Sequence, residues 1–102
     1  MVQFDWDDAN RLHIAQHKVS TTEAEELILN DPFDLGVQDG EGEERFLQVG
    51  ETLQGRILMM VSTMRGEKVR VVTAFDAPRK WRTYYLARKA DLYGSKTGHT
   101  EV

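Results

Sequence analysis

The stretch 56–85, RILMMVSTMRGEKVRVVTAFDAPRKWRTYY, limits the possible folds more than any other part of the chain. Two long runs rich in apolar and β-branched residues flank one tight-turn signal, and a basic, aromatic segment follows at once. If Arg65 and Gly66 are the two central residues of the turn, Met64 faces Glu67, Ser62 faces Val69, Met60 faces Val71 and Leu58 faces Thr73. The other side then sets Ile57, Met59, Val61 and Thr63 against Ala74, Val72, Arg70 and Lys68. Both sides are mostly apolar, whereas a strand pair backed by solvent alternates cleanly, so the pair is expected at the centre of a sheet covered on both faces.

A chain of 102 residues is long enough to bury roughly two-thirds of its unfolded surface in one core, so a single domain over residues 1–93 is expected, with a flexible polar tail at 94–102. There is no cysteine, which removes disulfides and thiolate metal sites and makes a reducing cytoplasm the natural compartment. No apolar run approaches the roughly 18 residues of a membrane span, and the first residues lack the pattern of a secretory signal. A soluble cytoplasmic protein with no membrane partner is the expectation.

The net charge of −4 hides an uneven distribution. Residues 1–55 carry three basic side chains against thirteen acidic ones, a net −10, and residues 56–102 carry ten against four, a net +6. This asymmetry suits an anionic partner for the second half and a basic partner for the first, or two halves that fold together and cancel.

In chain order, residues 4–6 alternate briefly, as a short edge strand or a lead-in. Asp7 or Asp8 is placed to cap a helix ending near His17, and Ser20 stands three residues before Glu23, the spacing of a capping box. The second helix buries Ala24, Leu27 and Ile28 and ends by Asn30-Asp31, because Pro32 cannot continue it. Phe33, Leu35 and Val37 then alternate with polar residues, a turn spans Asp39 to Gly42, and residues 44–50 form the next strand with Arg45, Leu47 and Val49 on one face and Glu44, Phe46 and Gln48 on the other. After a turn at 52–55 and the central pair, a last helix runs from Pro78 to about Ala90. The expected fold class is α+β: two N-terminal helices, a four-stranded antiparallel meander and a C-terminal helix.

Several groupings can carry chemistry. His13 and His17 have the i, i+4 spacing of a metal pair, but no third ligand accompanies them in the sequence, so the plainer reading is a surface or partly packed pair. Glu44 and Arg45 read as a carboxylate for proton transfer beside a guanidinium for phosphate, or as an exposed ion pair. Arg65 sits in the turn, and Arg70, opposite Val61 on an otherwise apolar face, needs a partner or a ligand. The last helix holds Arg79, Lys80, Arg82, Arg88 and Lys89 within eleven residues without an acid, interleaved with Trp81, Tyr84 and Tyr85. Basic groups for phosphate and aromatic rings for unpaired bases suit RNA, and one face of that helix must also fill the core.

Taken in order, FDWDDAN near the start, His17, Val19-Ser20 before a glutamate-rich helix, Asp31-Pro32, residues 42–45 (GEER), Gly50, the 56–63 strand, Arg65-Gly66 and the 70–74 run leading to Arg82 and Tyr85 resemble the BrnT-like toxin family of small bacterial proteins. The resemblance covers about residues 4–86. It implies a RelE-like fold and a ribonuclease, an RNA-binding hydrolase, as the toxin of a type II toxin–antitoxin pair. It also implies neutralisation by a ribbon-helix-helix, BrnA-like antitoxin and contact with operator DNA only through that antitoxin. Family members commonly carry an arginine where Phe75 stands, a glutamate where Trp81 stands, and Lys-His-Gly where this chain has Gln16-His17-Lys18.

Metal-independent RNA cleavage, with no cofactor, needs a base for the 2′-hydroxyl, cations for the charge developing on phosphorus and an acid for the leaving 5′-oxygen. The candidates are Arg45, Arg65, Arg70 and Arg82 for phosphate and transition-state charge, Glu44 or His17 as base, and Tyr85 as acid or orienting group. Arg79, Lys80, Arg88 and Lys89 are the candidate RNA-binding residues. The alternatives are a module of the same fold that binds protein or nucleic acid without cutting, and a metal enzyme built on His13 and His17.

Overall fold

A computed structural model of the chain describes residues 1–94. The elements are β1 (Gln3–Phe4), α1 (Asp8–Ala15), α2 (Thr21–Leu29), β2 (Phe33–Gly40), β3 (Glu43–Glu51), β4 (Ile57–Arg65), β5 (Lys68–Asp76), α3 (Arg79–Lys89) and a π-helical turn, Ala90–Gly94. From residue 95 on, the tail expected after Tyr93 lies outside the described residues. The fold is α+β, with one five-stranded sheet in the order β1-β5-β4-β3-β2. The antiparallel meander of β2 to β5 is as expected, but the sheet is mixed, because β1 adds a parallel strand through Gln3↔Lys68 and Phe4↔Val69. The brief alternation at residues 4–6 offers a short edge strand or a lead-in, and the strand lies at Gln3–Phe4; its partners lie far along the chain, so the sequence carries no sign of where it pairs.

Local chemistry sets the helix starts. Asp7 accepts from the Asn10 amide, and Asn10 in turn accepts from the Asp7 amide, closing a capping box on α1. Ser20 and Glu23 do the same for α2. Asp31 turns into the left-handed region (φ 57) after α2, and Pro32 stops any continuation.

The central hairpin differs in register from the sequence reading. Arg65 pairs with Lys68, so the two turn residues are Gly66 and Glu67, not Arg65 and Gly66. Gly66, at φ 63, takes the first central position, where a II′ turn needs a positive φ. Met64 therefore faces Val69 and Ser62 faces Val71, a slip of two that leaves the side chains as far as Val71 on their expected faces, whereas Thr73 and Ala74 beyond it exchange faces. Val72 is then an extra residue: pairing resumes at Val61↔Thr73 and runs through Met60↔Ala74 to Leu58↔Asp76. Arg70 consequently stands opposite Thr63 rather than Val61. A similar bulge at Leu35 interrupts β2, and the β2–β3 turn narrows to Glu41 and Gly42, both at positive φ.

Both faces of the central strands are covered. On one, Leu58, Met60, Val71 and Ala74 pack against Ile14, Ala24 and Leu27 from the N-terminal helices and Val19 from the connection between them. On the other, Val49, Ile57 and Met59 pack against Tyr85, with Trp81, Tyr84, Phe33 and Phe75 around them. The aromatic stripe of α3 is thus its sheet-facing side, and most of its cations are left outward. No helix among the described residues is long and apolar enough to cross a membrane.

Candidate nucleic-acid interface

Directly paired residues project from the same side of a sheet, so the register sorts the α3-covered face into rows. Phe33, Val49, Met59 and Phe75 form a row beside α3. The next row is Gly36, Leu47, Val61 and Thr73. Beyond it Gln38 pairs with Arg45 and Thr63 with Arg70, and one step past the Phe46↔Ser62 pair Arg45 comes beside Thr63. The outermost row holds Glu43 on β3 with Arg65 and Lys68. One face of the sheet therefore runs from an aromatic, helix-covered end to an end carrying Arg45, Arg65 and Arg70.

Carboxylates hold these guanidinium groups. Glu43 lies 3.6 Å from Arg45 Nε and 3.4 Å from Arg65 Nε, and Glu41 lies 3.7 Å from Arg45. Arg70 meets Asp7 at 3.1 Å and Asp5 at 3.6 Å. The hydrogen bond from Arg70 keeps the Asp7 carboxyl below its ordinary value, and Asp7 raises Arg70 in return. Arg45 Nε is buried without a hydrogen-bond acceptor. Its side chain lies across Gly40, where an added Cβ would fall 2.8 Å from both Cδ and Nε. Thr63, between the arginines, donates to the Glu44 carbonyl at 2.7 Å.

α1 brings two histidines to the β5 edge of the same face. His13 Nε2 stands 3.0 Å from Thr73 Oγ1, and the His17 ring lies 5.8 Å from Phe75. The two imidazoles meet edge to face at 5.6 Å. Among the described residues no group of three or more His, Asp or Glu is placed to hold a metal ion.

The remaining sequence candidates lie elsewhere. Glu44 projects from the opposite face, the side of Phe46, Ser62 and Val71, because neighbours along a strand alternate. The carboxylate beside Arg45 is Glu43, which the period of two along Arg45 and Leu47 also marks. Arg82 is exposed on the flank of α3 shared with Tyr85 and Lys89, near enough to Asp76 to help lower that carboxyl, behind the larger effect of Arg56. Arg79 and Lys80 are exposed at the start of α3, with the Lys80 ammonium 5.1 Å from the Trp81 ring.

Tyr85, 3% exposed, donates to Glu51 at 2.9 Å. Lys89 pairs with the same carboxylate, and that hydrogen bond, more than Tyr85's, holds Glu51 below its ordinary value while burial opposes it. Arg88 donates to Tyr84 Oη at 2.8 Å and lies 4.9 Å over the Phe33 ring. Glu51 escapes a sequence reading because its partners on α3 are distant in the chain. At the same end, Arg56 ties α2 to the sheet through Glu23 at 3.0 Å and Asp76 at 2.9 Å.

Residues 6–80 match the family model described as ribonuclease toxin, BrnT, of type II toxin-antitoxin system. No curated protein and no solved structure matches the chain. Such a family implies an antitoxin partner and an RNA substrate. With three-quarters of its length matched, and the match taking in every strand from β2 to β5, the chain belongs to the BrnT family of ribonuclease toxins.

Proposed function

We propose that this protein cleaves RNA without a metal ion on the sheet face carrying Arg45, Arg65 and Arg70, and that a ribbon-helix-helix antitoxin neutralises it. The supporting observation is that arginines from three strands share one face, with His13 and His17 at its edge. A guanidinium presents five N–H donors, so a carboxylate holding one edge leaves others for phosphate oxygens. In this reading His17 takes the 2′-hydroxyl proton and the 2′-oxygen attacks phosphorus. The arginines stabilise the charge that develops, and the bond to the 5′-oxygen breaks with a proton supplied by His13. The products are a 2′,3′-cyclic phosphate and a free 5′-hydroxyl. Imidazole suits both roles because it accepts and donates protons near neutral pH. Glu44, on the far face, has no part in this scheme. Tyr85 serves α3 and Glu51, and Arg79, Lys80 and Arg82 serve as contacts to the RNA backbone.

A second reading, a module that binds without cutting, draws support from the carboxylates already beside each of the three arginines. Incubating purified protein with RNA in EDTA separates the two. Cyclic-phosphate ends, lost in Arg45→Ala and in His17→Ala, are the expected result. Intact RNA at micromolar protein overturns the cleavage reading, and cutting that EDTA abolishes overturns its metal independence.

A further inference from the structure

Among the described residues β2 has β3 along one edge and no strand along the other. Successive residues of a strand send N–H and C=O to opposite edges, so every second residue of β2 directs both away from the sheet. Proteins blunt such an edge with lysine, proline or a very short strand, yet Phe33–Gly40 is eight residues long and holds neither lysine nor proline. A bulge at Leu35 interrupts it, and pairing is then regular from Gly36↔Leu47 to Gly40↔Glu43. We propose that the 36–40 edge receives an extended segment of the antitoxin, alternating basic and apolar residues, as a further strand of the sheet; the inference rests on the neutralisation reading above.

Charge selects this occupant. Residues 34–44 hold Asp34, Asp39, Glu41, Glu43 and Glu44 and no basic residue. Asp39 and Glu44 stand directly opposite each other across β2 and β3, both exposed, and neither carboxylate has an ion pair among the described residues. Like charges so placed repel, and a lysine or arginine laid beside them removes that cost. The same acids turn away RNA phosphates, and a second copy of the chain pairing through this edge would set the acidic run against itself. Shape agrees with a strand. A cleft of about 170 Å³ opens along β2, lined by Leu35, Gly36, Val37, Gln38 and Leu47. Gly36 puts no side chain into it, and a Cβ built there would meet nothing within 4 Å. An apolar side chain of the incoming strand seats there, while its neighbours, projecting to the other face, reach Asp39 and Glu44. Val37, 58% exposed, lies on that other face and packs along the stems of those basic residues. Gln38 pairs with Arg45, so the added strand runs about 10 Å from the strand that carries Arg45, two strand spacings away, and narrows the approach of RNA to the arginine rows.

The test is amide hydrogen exchange of the full chain, alone and with the antitoxin of its own pair. Alternate amides within 36–40 are expected to exchange at least about tenfold more slowly in the complex. The double variant Val37→Lys with Asp39→Lys changes two exposed positions outside the arginine rows. It is expected to keep its circular dichroism spectrum and its RNA cleavage and to bind the antitoxin at least about tenfold more weakly. Unchanged exchange at 36–40 or full affinity in the double variant overturns the proposal. So does protection in the free chain that grows with its concentration, the sign of a second copy at this edge. RNA cleavage with no antitoxin protection of 36–40 refutes the docking site alone, and protection without RNA cleavage refutes the ribonuclease reading alone.

Discussion

The side-chain amide of Asn10 donates to the main-chain carbonyl of Val71 at 3.0 Å, joining α1 to the open edge of β5. The same amide nitrogen donates to the Asp5 carbonyl at 3.0 Å, and its oxygen accepts from the Asp7 amide at 2.8 Å. Asn10 is 4% exposed, so its removal strands these groups away from water. Asn10→Ala is expected to lower unfolding stability by roughly 2–3 kcal/mol in urea denaturation. Asn10→Asp, which keeps the acceptor but loses both donors, should cost at least as much at neutral pH. A loss under about 0.5 kcal/mol in both would contradict this role.

Gly40 shapes the arginine row rather than the turn beside it. A methyl group there meets the flexible end of Arg45, not backbone, so the side chain can move aside at small cost to the fold. Gly40→Ala is expected to leave the thermal midpoint within roughly 3 °C and to reduce RNA cleavage at least about tenfold. Cleavage at the wild-type rate would show that the observed seat of Arg45 is not needed.

Gly50 presents the contrary case. A Cβ there would stand 2.9 Å from Pro32 Cβ and 3.2 Å from Leu27 Cγ, in a buried seam between α2 and β3. Neither neighbour can swing away, so Gly50→Ala is expected to destabilise by about 1–3 kcal/mol. Equilibrium unfolding beside Gly40→Ala makes the comparison.

Stability should fall in acid. The Glu51, Asp7 and Asp76 carboxyls are each lowered chiefly by a hydrogen bond from a cation: Lys89, Arg70 and Arg56 respectively. For Glu23, burial is the largest influence and acts upward, but bonds from Ser20 and Arg56 outweigh it. A carboxyl lowered by folding leaves the unfolded chain holding more protons, so its contribution is present above the ordinary values of 3.8 for Asp and 4.5 for Glu and disappears as pH drops through the folded value. Urea midpoints should be level from about pH 6 to 5 and decline below about 4.5. Lys89→Met, which removes the largest cause at Glu51, should make that decline shallower. An unchanged acid limb in this variant would count against the pairing.

What could be seen in advance followed from local rules, and what could not depended on distant partners. The capping box of Ser20 and Glu23, the stop at Pro32 and the two covered faces of the central pair are near-neighbour or periodic features, and they stand as read. The expected hairpin register differs by two because Arg65-Gly66 and Gly66-Glu67 serve equally well as a turn on paper, and an even slip leaves the faces between the turn and Val71 unchanged; only the bulge beyond it exchanges those of Thr73 and Ala74. The bulge at Val72 has no sequence mark, since three valines in a run of four look like uninterrupted strand. At the candidate site, period-two alternation put Arg45 and Glu44 on opposite faces from the outset, and the same rule shows why Glu43 is the carboxylate beside Arg45. The gathering of Arg70 with Asp5 and Asp7 depends on β1, and the meeting of Glu51 with Tyr85 and Lys89 depends on how α3 crosses the sheet.

The seat of β1 has a bearing on the order of events during synthesis. Gln3 and Phe4 have their strand partners in Lys68 and Val69, which leave the ribosome roughly 65 residues later, about 3–13 s at ordinary elongation rates. Hairpins can close between neighbours while the amino-terminal arm still waits for its place, so the segment made first is among the last to settle. Arg70 must therefore emerge before its two aspartates reach it, leaving a nascent interval in which that guanidinium is bare.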